Sequence, residues 1–357
     1  MLVTSHSPSA PIWKTRPEMR ALRLHGPDDL RLETVPDPQP APDELLVAVA
    51  ACGVCGSDLH FLDGSARTAH VPITLGHEVA GVIVGSHHPE WAEGTPVLVT
   101  AGGFCGDCPR CQEGRPNLCE RAAVLGITFD GGLADCLAVR ADMLIARPTA
   151  LSPAAAATAV DAGATAHHAV VRRGRVGAGD AVAIIGIGGL GGYALQIARN
   201  LGAGPIIAID TDPAALAWAK ALGADEVVEA VPGRSIGREV KLLSDGGVDV
   251  ALEFVGRAST VDAAVKCLRP GGTAVAVGVG SEPLTTLPPV LWSNHEYTLT
   301  GSYGSLPGDA ESVLAGLTDG SLTPPPITTA RLADAAPMIM EMARRERRVT
   351  GRLVAEP

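Results

Sequence analysis

Five short runs rich in Val, Ile and Ala, AVAIIG, PIIAID, EVVEA, VDVALEFVG and TAVAVGVG, follow one another between Ala181 and Gly280, each separated from the next by a helical stretch. Little else in the chain limits its fold so tightly. Strands that alternate with helices imply a parallel sheet covered on both faces. Runs this continuously apolar suit strands buried on both sides. The predicted class for this half is α/β, a doubly wound parallel sheet.

The turn after the first strand reads Gly186-Ile187-Gly188-Gly189-Leu190-Gly191 and opens a helix with Leu190, Tyr193, Ala194, Ile197 and Leu201 on its apolar face. The next strand ends in Asp210, 19 residues past Gly191. Glycines there let the backbone approach a pyrophosphate at a helix N-terminus, and the acid suits ribose hydroxyls. Asp212-Pro213 supplies the next helix's cap and first residue, which leaves Asp210 free for the ribose. A carboxylate repels a 2′-phosphate, and no Arg or Lys occurs within Thr211–Leu216. The expected cofactor is NAD in preference to NADP.

The part before this sheet differs in kind. ALRLHG, DLRLETV and ELLVAVAAC read as strands, with Pro36, Pro38, Pro40 and Pro42 forbidding a helix between the last two. VAGVIVGS, TPVLVT and LADCLAVRADMLIARP continue the β character. Gly53–Gly64 is expected to form a short helix. Ser152-Pro153 then opens an Ala-rich helix that closes at Gly174. Past Leu299 come two more helices, Asp309–Leu317 and Leu332–Arg344, and a last strand, GRLVAEP.

Two groups of residues have the chemistry of metal ligands. Cys55 and His77 offer a thiolate and an imidazole, two of the three protein ligands that a catalytic zinc uses while keeping one position open. Ser57 and His60 are spaced to carry a proton away from whatever binds that position. Cys105, Cys108, Cys111 and Cys119 form C-x2-C-x2-C-x7-C, able to close a structural zinc site. Ferredoxin-type clusters use a shorter last gap followed by Pro, whereas Glu120 stands here. Cys52, Cys136 and Cys267 read as core, and eight cysteines without a paired framework point to a reducing cytoplasm.

At 357 residues the chain has room for two cores. Its net charge of −11 argues against nucleic acid as a partner, which needs a basic face. No apolar run is long enough for a bilayer span. The opening MLVTSHSPSAPIWKTRP lacks the apolar core of a signal peptide and reads as a mobile tail.

With these pieces placed, the chain resembles the zinc-containing medium-chain dehydrogenases, the alcohol and polyol dehydrogenase family. The motifs that carry the resemblance are CGVCGSDLH, LGHEVAG, CGDCPRCQEGRPNLC, DAGATAHHA, GIGGLGG and TGRLV. They span nearly the whole chain after the tail. The resemblance implies a β-rich GroES-like catalytic domain plus a Rossmann domain: a tail at 1–18, catalytic residues 19–163, the nucleotide domain 164–301, and catalytic completion by 302–357. It implies two zinc ions per chain. Cys55 and His77 would hold the catalytic one, together with Asp161 where many members have a cysteine. Polyol dehydrogenases lean instead on the glutamate beside the histidine, here Glu78, which is expected behind the metal. Cofactor contacts map onto Thr165 beside the nicotinamide, Val277 and Ser302 through their backbone, and Arg352 at the pyrophosphate, the alternative for Arg352 being a solvated strand residue. His167 and His168 are expected on the helix surface. Ala101 stands where some members carry an aromatic residue, which implies a roomier pocket. A homotetramer or homodimer is also implied.

The activity this implies is reversible oxidation of a primary or secondary alcohol or polyol by NAD. Zinc would acidify the hydroxyl, Ser57 would accept its proton, and the ribose would pass it to His60, imidazole being the side chain suited to exchange near neutral pH. Two rivals share parts of the pattern. An NAD-sensing protein would need no Ser57, His60 or open metal position. A reductase of activated C=C or C=N bonds would share the entire scaffold.

Overall fold

The computed structural model describes residues 18–284 and 287–357. Apart from Glu18, which begins the strand Glu18–Gly26, the expected tail lies outside the described residues. Six strands form one wholly parallel sheet in the order Glu226–Glu229, Ile206–Asp210, Val182–Ile185, Val248–Glu253, Leu268–Ala276, Thr298–Gly301. Numbered along this half of the chain, that order is 3-2-1-4-5-6, the doubly wound arrangement whose crevice lies where the order reverses. The burial follows the pleat. Val182 and Ile184 join one core with Tyr193 and Leu195, while Ala183 and Ile185 join another with Val240 and Ala264. The apolar strand Leu268–Ala276 is covered on its outer side by Thr298–Gly301, which forms the edge of the sheet.

A second sheet runs Leu144–Ala146, Pro96–Val99, Glu78–Gly85, Glu44–Val54, Arg352–Glu356, Ile327–Arg331, with Cys136–Arg140 also pairing to Glu44–Val54. The last strand of the chain therefore sits against the strand that leads into Cys55, with Leu353 opposite Val54 and Val354 opposite Gly53. On the other side of Gly53 lies Glu78. This lateral order sets the C-terminal strand beside the first candidate metal site.

One long helical segment joins the two halves. Ser152 caps it, its Oγ accepting from Ala155 N at 3.2 Å, and Pro153 is its first residue. The helix then widens: Ala159–Gly163 and His168–Arg173 are π-helical, with Gly163 N bonded to Thr158 O and Gly174 N to Ala169 O. Such turns arise mostly as single insertions, often at functional positions. The first of them carries Asp161.

Candidate active site

Between the two halves lies a cleft of about 1300 Å³. One wall carries Cys55, Ser57, His60, His77, Asp161 and Thr165, and the other the glycine turn and Asp210. Cys55 caps the helix Gly56–Leu62, which puts Ser57 and His60 within its two turns. Asp58 fixes the entry to that helix by accepting from Cys55 N at 2.8 Å through Oδ2.

Three side chains far apart in sequence converge. Cys55 Sγ stands 3.2 Å from Asp161 Oδ2, and His77 Nε2 stands 3.6 Å from the same oxygen. One ligand atom from each residue lies within 4.8 Å of the other two. Thr165 donates to Asp161 Oδ1 at 3.2 Å, which turns Oδ2 toward the thiol and the imidazole. Behind His77, its Nδ1 faces Asp58 Oδ1 at 3.7 Å, both atoms buried and without a hydrogen bond. Ligating histidines commonly pass their second N–H to a carboxylate, so this facing pair suits a metal on Nε2.

The electrostatics point the same way. Burial disfavours a charged His77, yet Asp58, Asp161 and Cys55 outweigh it and hold the ring's pKa well above the ordinary imidazole range. Burial would raise Asp161, but His77 and Arg352 hold it well below the carboxylate range. Two carboxylates, Asp58 and Asp161, thus face the His77 ring from either side. Thiolate, imidazole and carboxylate are all zinc donors, so the residues fit the metal.

Glu78 is not in this set. Fully buried, it receives Arg352 Nε at Oε2 at 3.0 Å and Nη2 at Oε1. Burial pushes the Glu78 carboxyl up to about 7, with Arg352 acting against that rise. Arg352 in turn lies 3.8 Å from Asp161 Oδ2. It is not a solvated strand residue, being 6% exposed, and it lines the cleft together with the glycine turn. Its guanidinium lies against Gly189, where an added Cβ would meet Cζ at 3.4 Å.

The four sulfurs of Cys105, Cys108, Cys111 and Cys119 also group, with Sγ separations of 3.9, 3.8 and 3.4 Å among the bonded pairs. A tetrahedron with Zn–S of ~2.3 Å has edges of about 3.8 Å. Backbone N–H groups of Cys105 and Arg121 point at Cys119 Sγ, and that of Cys108 at Cys105 Sγ. Hydrogen bonds from backbone N–H groups hold the Cys108 thiol down to about 6, while burial pushes Cys111 up to about 12. The lobe fits a closed zinc site.

The second wall suits a dinucleotide. A Cβ on Gly191 would collide with Gly186 O, so only glycine allows that turn to fold so closely at the start of helix Gly189–Asn200. Asp212 caps the next helix by accepting from Ala214 N, as its position before Pro213 predicts. Asp210 is held in place by Ile187 N at 2.7 Å and Asp212 N at 2.9 Å. Gly188, Leu190, Val277 and Ser302 line the cleft too. The N–H groups of Val277 and Ser302 are taken by Glu253 O and Ala276 O, so backbone contacts there have to use carbonyls.

Some placements differ from the sequence-based expectation. His168 is buried, and both it and His167 turn to the fully buried Asp309, at 3.3 and 2.8 Å. Their helix thereby grips the start of Asp309–Asp319 in place of facing solvent. Ser57 and His60 have separate partners, Cys55 Sγ at 3.8 Å for the first and Ser65 Oγ at 3.0 Å for the second. Asp58 was not anticipated, although its place three residues after a helix-capping ligand was the available signal. Cys52, Cys136 and Cys267 are buried as expected.

A doubly wound sheet whose crevice meets Cys, His and Asp side chains with the chemistry of zinc donors suits a nicotinamide-dependent oxidoreductase. Residues 41–149 match the model described as an alcohol dehydrogenase GroES-like domain, and residues 189–319 that of a zinc-binding dehydrogenase. Sorbitol dehydrogenase of Bacillus subtilis is 32% identical over 84% of this chain and 87% of its own. Among solved structures, acetophenone reductase from Geotrichum candidum in complex with NAD superposes with a TM-score of 0.85 at 28% identity, covering 96% and 98% of the two chains. A zinc-binding dehydrogenase from Sinorhizobium meliloti bound to NADP gives 0.86 at 31% identity, covering 96% and 100%. The chain belongs to the zinc-containing medium-chain dehydrogenase/reductase family. The polyol and alcohol dehydrogenases among its relatives support an oxidoreductase.

Proposed function

We propose that the chain is an NAD-dependent alcohol dehydrogenase with two zinc ions, one held by Cys55, His77 and Asp161 and one by the four-cysteine lobe. The observation that carries this reading is the convergence of Cys55 Sγ, His77 Nε2 and Asp161 Oδ2 in the cleft beside Ser57. Zinc at that position supplies a Lewis acid that makes an alcohol hydroxyl more acidic. The nicotinamide supplies the hydride acceptor.

The chain's own residues do the rest. Thr165 orients Asp161, and Asp58 backs His77. Ser57 Oγ takes the hydroxyl proton. His60, its side chain 29% exposed, returns it to solvent. The two have separate partners, Cys55 Sγ and Ser65 Oγ, and a bound dinucleotide would supply hydroxyl groups able to lie between them. Asp210, fixed by two backbone N–H groups, supports NAD over NADP, since its carboxylate would face a 2′-phosphate. The catalytic unit is taken as residues 19–163 completed by 302–357, with 164–301 as the nucleotide domain. We place the enzyme in the cytoplasm as a homodimer or homotetramer. Among the described residues no helix is long and apolar enough to cross a membrane.

The test is NADH formation, read by absorbance, with a panel of secondary alcohols and diols. Oxidation with NAD is expected. Reduction of activated C=C or C=N bonds without any alcohol oxidation would favour the rival reductase.

A further inference from the structure

We propose that Ser65 and Asp63 are positioning residues for His60: together they hold its imidazole with the proton on Nδ1, which leaves Nε2 as the base that takes up the alcohol's proton. This rests on the dehydrogenase reading above and extends its relay by two residues on the solvent side.

The arrangement begins with how a helix stops. Gly56–Leu62 is closed by Asp63, whose N–H bonds back to Leu59 O at 2.9 Å. Gly64 follows at φ +77°, the left-handed conformation that glycine supplies at helix ends, and Ala66 N returns to His60 O at 2.9 Å. The chain therefore doubles back over the last turn and brings Ser65 to His60. Ser65 Oγ stands 3.0 Å from His60 Nδ1. It also stands 2.5 Å from Asp63 Oδ1 and 3.4 Å from His60 O. Asp63 Oδ1 accepts from Ser65 N as well, at 2.8 Å.

The direction of these bonds follows from what each group can give. A carboxylate only accepts, and a hydroxyl has one proton to donate. Burial acts to raise the Asp63 carboxyl, but the bonds from Ser65 and the nearby His60 outweigh it and hold it below its ordinary value. Ser65 therefore donates to Asp63, the nearer acceptor and the charged one. Its lone pair then faces His60 Nδ1, which has to be the donor. In a neutral ring the other nitrogen is bare. Among the described residues nothing is bonded to Nε2, and the ring lines the cleft. The step is a proton transfer alone. One proton arrives on Nε2, the ring becomes a cation, and Asp63 Oδ2, 3.7 Å from Nδ1, offsets its charge until water takes a proton from the partly exposed ring.

The experiment is a double-variant cycle on the zinc-loaded enzyme near pH 7, with NAD and the fastest alcohol of the panel above. Ser65→Ala should lower kcat roughly three- to ten-fold, the worth of one hydrogen bond, with KM and zinc content unchanged. Ser65→Thr, which keeps the hydroxyl, should restore the parent rate. Asp63→Asn keeps an acceptor oxygen for Ser65 and removes the charge, and should lower kcat by a similar factor. In a His60→Ala background neither Ser65→Ala nor Asp63→Asn should lower kcat further, since both act through the ring. Independently of turnover, solid-state 15N spectra of histidine-labelled protein, with the His60→Ala spectrum subtracted, should show Nδ1 protonated in the parent and the proton shifted toward Nε2 in Ser65→Ala. A Ser65→Ala loss below about two-fold, the same loss in both backgrounds, or a proton on Nε2 in the neutral parent overturns the positioning role and leaves the dehydrogenase reading standing. A His60→Ala protein as active as the parent overturns the relay and this proposal with it. A parent that oxidises no alcohol overturns the dehydrogenase reading, and the 15N spectra still decide the tautomer.

Discussion

Replacing Arg352 by Met should destabilise the protein more than any other single change at the cleft that spares the metal ligands. The guanidinium is 7% exposed and doubly bonded to Glu78, whose side chain is fully buried. Methionine keeps the apolar stem but leaves the Glu78 carboxylate buried, unpaired, and near Asp161. Breaking a buried pair from one side costs about 3–5 kcal/mol. At ~2.1 cal/mol/K of unfolding entropy per residue, 357 residues give roughly 0.75 kcal/mol/K, so the melting midpoint should fall by about 4–7 °C. Replacing both partners, Glu78→Leu with Arg352→Met, should recover most of the loss, because an apolar pair of similar volume is often neutral. Midpoints of the four proteins at one scan rate complete the cycle. A midpoint within 1 °C of the parent in Arg352→Met, or a double variant as low as the sum of the singles, would show that the pair is not a coupled unit. Gly53 offers a control from the other side, since its added Cβ would collide with the Glu78 carboxylate; Gly53→Ala should also lower the midpoint, and less so when Glu78 is Leu.

The remaining expectations are briefer. His60→Ala should keep its zinc and lower alcohol oxidation modestly, general base catalysis being worth about 100-fold or more, with partial recovery at high pH, whereas Ser57→Ala should lose more; zinc loss in the first or full activity in the second would refute the relay. Asp210→Ala should reduce the NAD preference in kcat/KM without abolishing turnover, and a parent enzyme that prefers NADP would contradict the role given to that carboxylate. Elemental analysis should find about two zinc per chain, and a fully active protein with one would refute the two-site reading. Zinc uptake by metal-free lobe cysteines should weaken as pH falls through about 6, because Cys108, deprotonated above that value, then takes up the proton that the metal must displace. Equal affinity at pH 5 and 7.5 would count against that thiol's low pKa.

What could be read from the chain beforehand was whatever one local stretch encodes. The glycine turn, the cap Asp212-Pro213, the Ser152-Pro153 helix start and the four cysteines each depend on near neighbours, and each is placed as expected. Asp161 was legible only through a motif resemblance, since its meeting with Cys55 spans 106 residues. Arg352 shows the limit most clearly. An arginine at a strand start gives no sign of a buried partner, and only the pairing of the last strand with Glu44–Val54 puts it on a carboxylate 274 positions away. His168 was misjudged for the same reason. Its partner Asp309 belongs to a helix that the sequence shows but cannot place in space.

The π-helical turn at Ala159–Gly163 has a consequence for how this protein tolerates changes in length. A helix advances 100° per residue, so removing one residue between Asp161 and Thr165 would, unless the π turn rewinds to absorb the loss, swing everything beyond it by more than a quarter of a revolution. Thr165 would leave Asp161, and the two histidines would leave Asp309, although every one of those residues was still present. Substitutions there change chemistry at one point, whereas a deletion acts as a rotation of the whole hinge between the two halves. The register of this segment is thus a functional quantity in its own right, recorded in a residue count and not in any single side chain.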